Sequence, residues 1–516
     1  GADQSATTAV AFVLALASIA VLLRGTFEDD RLGSVQRAAI ACFVALALFW
    51  LGNGRMLVQT SEMLNVQFAL LALLLGAGAL VRAQHGRAAA WSAAAAACAT
   101  AATFTFGPGI AAFPALLAVA VAIRVPWRGV ASFALALPLV LWLYLFAMPG
   151  DEGVRGNLVV DPLVNLRQAM QWLGAPQFTA WLGLDDPVAD PTLRGAIVYQ
   201  WGGNALLDSA RAISAHLPAQ GGWLSSSTIV GAIGLFAAAA IALRTWWRRR
   251  DAMRLEAMAL ALALFGAGVA FVIALGRHDL FAKYPGQIFA DRYLPWSCLF
   301  WLGLAIAAVR ALPQRWGALA GVAAISVAAL AYPIHAVQAG WAESFSLLAE
   351  RGAIALRLGV WDEQVMPWPA EATRPQVQRT MALLREWDGT IWQGLPERDR
   401  VLVPGNQDTA GASTLAVART FVDPETNRTV LVFEGHTTWP QRAGELLVVD
   451  AAGRFRGLGL LHGRHDWRDL VRPPASDVFV AGYAFAGDCG PLFATVLRDG
   501  VAQAVAKLDP CAAATP

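Results

Sequence analysis

Up to about position 336 the chain alternates between long apolar runs and short polar joints. A helix rises 1.5 Å per residue, so a run of about 20 apolar residues crosses a ~30 Å hydrocarbon layer. Runs of this kind at roughly 7–23, 38–52, 64–81, 88–106, 108–123, 129–148, 224–243, 255–276, 294–311 and 315–335 predict ten membrane helices, give or take one. The second run is short. The fourth and fifth are parted only by Gly107-Pro108-Gly109, which predicts a tight helical hairpin or a re-entrant pair. Past 336 the apolar runs shorten. Leu347, Leu348 and Ile354 fall at helical spacing, and Val377–Trp387 makes a second helical stretch. Beyond 400 the pattern predicts strands at Thr429–Phe433, Glu445–Val449, Asp477–Tyr483 and Leu492–Leu497, with Ala452-Gly453 and Asp499-Gly500 as hairpin turns. The expected organisation is an all-α polytopic membrane bundle over 1–336 with a long loop at 149–222. A helical segment over 337–399 and a β-rich domain over 400–516 follow.

Charge adds an orientation. Loops carrying Arg24/Arg31/Arg37, Arg82/Arg87, Arg124/Arg128, Arg244/Arg248/Arg249/Arg250/Arg254 and Arg310/Arg315 alternate with loops that do not, and arginine-rich loops stay in the cytoplasm. The Gly-Pro-Gly turn, the 149–222 loop and everything after 336 then face outward. Gly1 falls outside as well, so at least one further span is expected before it. The chain is 57% hydrophobic and 15% charged with a formal charge of +2, which excludes a soluble enzyme, a disordered chain and a nucleic-acid binder. The tail after 336 is richer in charge, 17 Lys and Arg against 21 Asp and Glu. Three of the five cysteines lie in apolar runs. Cys489 and Cys511 pair only if the tail meets an oxidising compartment.

The centres of all ten runs lack Asp, Glu, Lys, Arg and His. Charge at the bilayer midplane marks ion-coupled transporters, so chemistry is expected at the outer rim. One group there is Arg55 with Glu62, Asn65 and Gln67; Glu62 is a candidate general base or metal ligand and Arg55 a phosphate contact, against interfacial capping and snorkelling. A second is Arg277, His278, Asp279, Lys283, Tyr284, Asp291, Arg292 and Tyr293. This outward loop breaks the charge rule with three cations, which either bind a lipid phosphate or pair with Asp279 and Asp291. Asp161–Leu173 reads as an amphipathic helix on the membrane surface, or as a lid. Tyr199–Asn204 offers aromatic and amide groups suited to sugars or to interfacial anchoring. His462, His465 and Asp466 sit in a turn without further ligands and do not make a metal site. Gly457, Gly459 and Gly463 have the wrong spacing for a dinucleotide fingerprint. Asn427-Arg428-Thr429 has the form of an acceptor sequon.

Several stretches carry a resemblance: Asn65-Val66-Gln67-Phe68 opening a span, Phe104 to Pro114 between two spans, Asp161-Pro162 with Trp172 to Pro176, and Arg292-Tyr293 heading a span. Over roughly 40–390 the chain resembles a group of little-characterised bacterial polytopic membrane proteins similar in layout to the GT-C glycosyltransferases. The resemblance implies a GT-C-like bundle in the bacterial cytoplasmic membrane. It implies a polyprenyl-phosphate-linked sugar as donor, a glycan, lipid or protein of the envelope as acceptor, and Arg292 against the lipid phosphate. A divalent cation as cofactor is left open. Two departures stand out: the acidic residue such enzymes carry in their first outer loop has no counterpart here, and the turn reads Gly-Pro-Gly where Gly-Asn-Gly is expected. The competing expectations are a non-catalytic envelope-assembly protein that anchors the β-rich domain, and a lipid or glycan transporter.

Overall fold

The computed structural model describes residues 4–50, 60–105, 107–144, 158–176, 223–248, 252–365, 370–386, 414–423, 426–437, 443–463, 478–487, 490–498 and 501–508. The chain divides into two compact units, Gln4–Ala342 and Glu343–Pro516.

The first unit is helical. Its elements are α1 (Gln4–Glu28), α2 (Ser34–Phe49), α3 (Thr60–His85), α4 (Ala88–Thr105), a 3-10 turn at Gly107–Ala111, α5 (Ala112–Ala122), α6 (Trp127–Trp142), α7 (Pro162–Ala175), α8 (Ser226–Trp247), α9 (Arg254–Gly276), α10 (His278–Lys283), 3-10 turns at Pro285–Phe289 and Asp291–Tyr293, and α11 (Leu294–Ala311). Helix α12 (Gly317–Leu358) begins in this unit and continues past its boundary. Each of the ten apolar runs is helical over most of its described residues. Five helices are long and apolar enough to cross a membrane, judged by length and composition: those covering Ala6–Glu28, Ser61–His85, Ser226–Trp247, Arg254–Gly276 and Leu294–Ala311. Shorter apolar helices cover Ser34–Phe49, Gly107–Ala122 and Trp127–Trp142. Helix α12 runs through the expected boundary at 336 without a break, and the division between the units falls within it, after Ala342.

Helix α9 is the axis of this unit. Leu255, Met258, Leu262, Phe265, Val269 and Ile273 are all buried, and α3, α5, α7 and α11 pack against it. Polar bonds gather all five arginine-bearing loops at one end. Arg310 Nε lies 2.6 Å from Asp29 Oδ2, and its Nη1 lies 3.0 Å from Glu256 Oε2. Gln36 Nε2 donates to Val309 O and Leu312 O. The Ala252 amide donates to Gln84 Oε1 at 3.2 Å, and Arg124 Nε donates to Trp246 O at 2.9 Å. The alternation of arginine along the sequence therefore corresponds to one physical end of the bundle.

In the second unit, α12 ends at Leu358 and α13 spans Ala370–Glu386. Seven strands follow: β1 (Thr414–Val422), β2 (Thr429–Thr437), β3 (Ala443–Asp450), β4 (Phe455–His462), β5 (Val478–Phe485), β6 (Leu492–Arg498) and β7 (Val501–Leu508). They form one antiparallel sheet in the order β1-β2-β5-β4-β3-β6-β7, whose first and last strands approach each other, so the sheet curls towards a barrel. The four expected strands are present, and β1, β4 and β7 are additional. Both faces are apolar. Leu431, Phe433, Leu446, Val448, Val480 and Val505 fill one; Val432, Val449, Leu460 and Tyr483 pack on Ile354, Ala355, Leu358 and Val360 on the other. The Ala452-Gly453 turn is tied by Asp450. Burial pushes that carboxyl up, but hydrogen bonds from Arg454, Arg456 and the Ala452 amide outweigh it and hold it below its ordinary range.

Asp362 anchors this unit. It is fully buried and accepts from Arg419 Nη2 at 2.6 Å, Tyr483 Oη at 2.9 Å and the Gln364 amide at 3.0 Å. Burial, and then the charge of Asp362, push the Tyr483 phenol far up, so it stays a donor. Replacing Tyr483 by Phe is expected to cost about 2 kcal/mol, the worth of a buried hydrogen bond to a charged group. Hydrogen exchange of the β5 amides in the full chain should then quicken about thirtyfold; unchanged protection would show that Arg419 and the Gln364 amide suffice to satisfy Asp362.

Candidate functional site

The end of the helical unit opposite these gathered arginine-bearing loops, the arginine latch, holds α7, α10, the two 3-10 turns and the head of α11. Helix α7 starts where Asp161 Oδ1 accepts from the Val164 amide at 3.1 Å, with Pro162 in the first turn. It is packed among other helices and is not an exposed amphipathic helix. Only its first turn is open, with Leu163 67% exposed, whereas Asn165 and every residue from Gln168 to Ala175 are buried. The apolar spacing of Leu166, Met170 and Leu173 predicts one wet face; the other face instead carries Ala, Gly and Trp that fit between helices. Helix α7 packs on α8, α9 and α11, and Trp301 Nε1 donates to Leu173 O at 2.7 Å.

Asn165 ties α7 to the cationic loop. Its Nδ2 donates to Ala274 O at 3.0 Å and lies 3.3 Å from His278 Nδ1, while its Oδ1 accepts the Asp161 amide at 2.8 Å. Beyond His278 come the cations. Arg277 is exposed between α9 and α10. Lys283 closes α10, its ammonium 5.2 Å from the ring centre of the half-exposed Tyr284. Arg292 Nη2 donates to Gln287 Oε1 at 2.9 Å, and its guanidinium lies 4.8 Å from the centre of the Tyr293 ring. Tyr293 in turn meets Phe281 edge-on at 6.1 Å. Among the described residues none of the three cations forms an ion pair, Asp279 included, while the Asp291 side chain lies outside what is described; Arg292 is held by a neutral amide and a ring.

Glu62 stands in the first turn of α3, half-buried, at the end where a helix favours negative charge. Gln67, one turn further, is wholly buried. Arg55, Tyr199–Asn204, His465, Asp466, Cys489, the expected turn at Asp499-Gly500 and Cys511 lie outside the described residues. His462 closes β4, with Nδ1 3.3 Å from Glu350 Oε2. Among the described residues no three His, Cys, Asp or Glu side chains gather as metal ligands. The reading of residue types missed Asn165, Gln168 and Gln171, and named Trp172 only within the resemblance. Their signal is a run of amides on a stretch otherwise apolar enough to be buried. No family model, curated protein sequence or solved structure matches the chain.

Proposed function

We propose that the chain is a multi-pass glycosyltransferase of GT-C type in the bacterial cytoplasmic membrane. In this reading about ten helices span the bilayer, the arginine latch faces the cytoplasm, and the cationic end and the β-rich unit face outward. The donor is a polyprenyl-phosphate-linked sugar and the acceptor a hydroxyl-bearing envelope glycan, lipid or protein. The observation that carries the reading is the group of three cations, without ion pairs among the described residues, at the bundle end opposite the latch and beside the positive pole of α11. Arg277, Lys283 and Arg292 hold the phosphate. Tyr284 and Tyr293 support the cations as ring faces, and Arg55 belongs to the same rim. As the bond from sugar C1 to the phosphate oxygen breaks and the acceptor oxygen bonds to C1, the arginines take up the charge developing on the departing phosphate. Glu62 takes the acceptor's proton.

The test uses the full chain in lipid nanodiscs. Arg292→Gln is expected to weaken binding of polyprenyl phosphate about tenfold, one charge-assisted contact. Glu62→Gln is expected to leave that binding intact while transfer from a polyprenyl-phosphohexose falls about a hundredfold. Equal binding by wild type and Arg292→Gln would sink the reading. Movement of the lipid across the bilayer without a new glycosidic bond would replace it with a transporter, and activity residing in the β-rich unit alone with an assembly protein.

A further inference from the structure

Among the described residues at the cationic end of the helical unit, four uncharged buried side chains carry polar atoms without a partner in the protein: Gln67 at both Nε2 and Oε1, Gln168 at Oε1, Trp172 at Nε1 and Tyr293 at Oη. These residues are 0%, 3%, 2% and 9% exposed. A buried polar group left unsatisfied forfeits its hydration with nothing in return, and leucine at Gln67 or Gln168 would avoid that cost. Gln67 lies near the start of α3, Gln168 and Trp172 are a turn apart on α7, and Tyr293 heads α11; α3, α7 and α11 all pack on α9. The stripe that carries Gln168 and Trp172 begins with Asn165, the residue that touches His278. Helix α7 also packs on Pro285–Phe289, whose Gln287 holds Arg292. Gln168, Trp172 and Tyr293 thus sit on elements that pack on or belong to the cationic loop, and Gln67 stands near the same end of α3, which packs on the shared helix α9.

The chemistry of the set is selective. Two amide oxygens accept, while an amide NH2, an indole N–H and a phenol O–H donate, and none carries charge. Such a set cannot compensate an anion but complements hydroxyls, each of which both donates and accepts. We infer that Gln67, Gln168, Trp172 and Tyr293 form an uncharged subsite that reads the hydroxyls of the sugar on the lipid, next to the cations that take its phosphate. This rests on the phosphate reading above and deepens it: α7, from the 149–222 loop, becomes the element that sets sugar preference.

The probes are polyprenyl phosphate without a sugar and polyprenyl-phosphoglucose, -mannose and -galactose, titrated by native mass spectrometry into the full chain in nanodiscs. Wild type should bind at least one sugar-bearing lipid about tenfold more tightly than the bare phosphate. The pair Gln67→Met with Gln168→Leu should erase that preference and leave the affinity for the bare lipid unchanged. Trp172→Phe, which keeps a ring and removes the N–H, should reduce the preference a few-fold and guards against misfolding of the pair. Arg292→Gln should weaken both kinds of lipid and keep their ratio. Equal binding of bare and sugar-bearing lipids by wild type, or an undiminished preference in the glutamine and tryptophan variants, overturns the subsite while the phosphate reading stands. Failure to bind any polyprenyl phosphate removes both.

Discussion

Gly231→Ala is expected to destabilise the helical unit by about 3 kcal/mol or more, and Gly231→Leu to leave no monodisperse folded protein. A Cβ at Gly231 would overlap Met170 O, and one at Gly174 would overlap Ser227 O. The obstacle on both sides is a backbone carbonyl, which no rotamer change can move. Helices α7 and α8 therefore touch backbone to backbone, the close approach that small residues permit in membrane bundles. Overpacking a core usually costs about 1–3 kcal/mol when side chains can yield; here two helices would have to part. Parting them would also open the packing around the buried Trp172. The measurement is thermal unfolding of the detergent-solubilised full chain by size-exclusion and tryptophan fluorescence. A Gly231→Ala variant melting with wild type would mean that α7 and α8 sit further apart. Gly276, where an added methyl would meet nothing within 4 Å, serves as control, and its alanine variant should melt as wild type does.

The same contact marks the boundary between what the sequence discloses and what it does not. Apolar length located the helices, because a run such as 255–276 can satisfy its backbone only as a helix. Arginine alternation found the latch end without naming one bond in it. Period-two alternation found β2, β3, β5 and β6. It missed β4, because Gly457 and Gly459 remove the apolar beat where β4 lies against β5, and it missed β1 and β7 at the ends of the sheet, where Arg419 and Gln503 dilute the pattern. Helix α7 reads as superficial for a physical reason. Periodicity weighs hydrophobicity, whereas burial here follows size, with Gly174 and Ala169 as buried as Leu173. The cationic loop is legible as an exception to the charge rule. The amides beside it are not, because Gln168 or Gln67 at a helix position reads as a solvated residue until its neighbours are known.

Breaking the latch should be the other costly change. Asp29 is fully buried and Arg310 nearly so; the pair is 2.6 Å apart, with Glu256 on the far side of the guanidinium at 3.0 Å. Asp29→Ala leaves a buried arginine with half of its charge compensation, and removing one partner of such a pair costs about 3–5 kcal/mol. Stability of the full chain in detergent should fall accordingly, with little dependence on salt, because buried charges are poorly screened. Arg24 and Glu28 provide the contrast, also paired but 70% and 43% exposed. Arg24→Ala should change stability by less than about 0.5 kcal/mol. The double variant Asp29→Leu with Arg310→Met discriminates further. It removes both charges, leaves Glu256 with Arg248 at 4.0 Å, and should recover part of the loss, since an apolar pair of similar volume replaces a buried ion pair at small cost. If the double variant is as unstable as the sum of the two single ones, the two side chains do not act as a pair, and the five arginine-bearing loops are held together by their backbone contacts and by Gln36 and Gln84 instead.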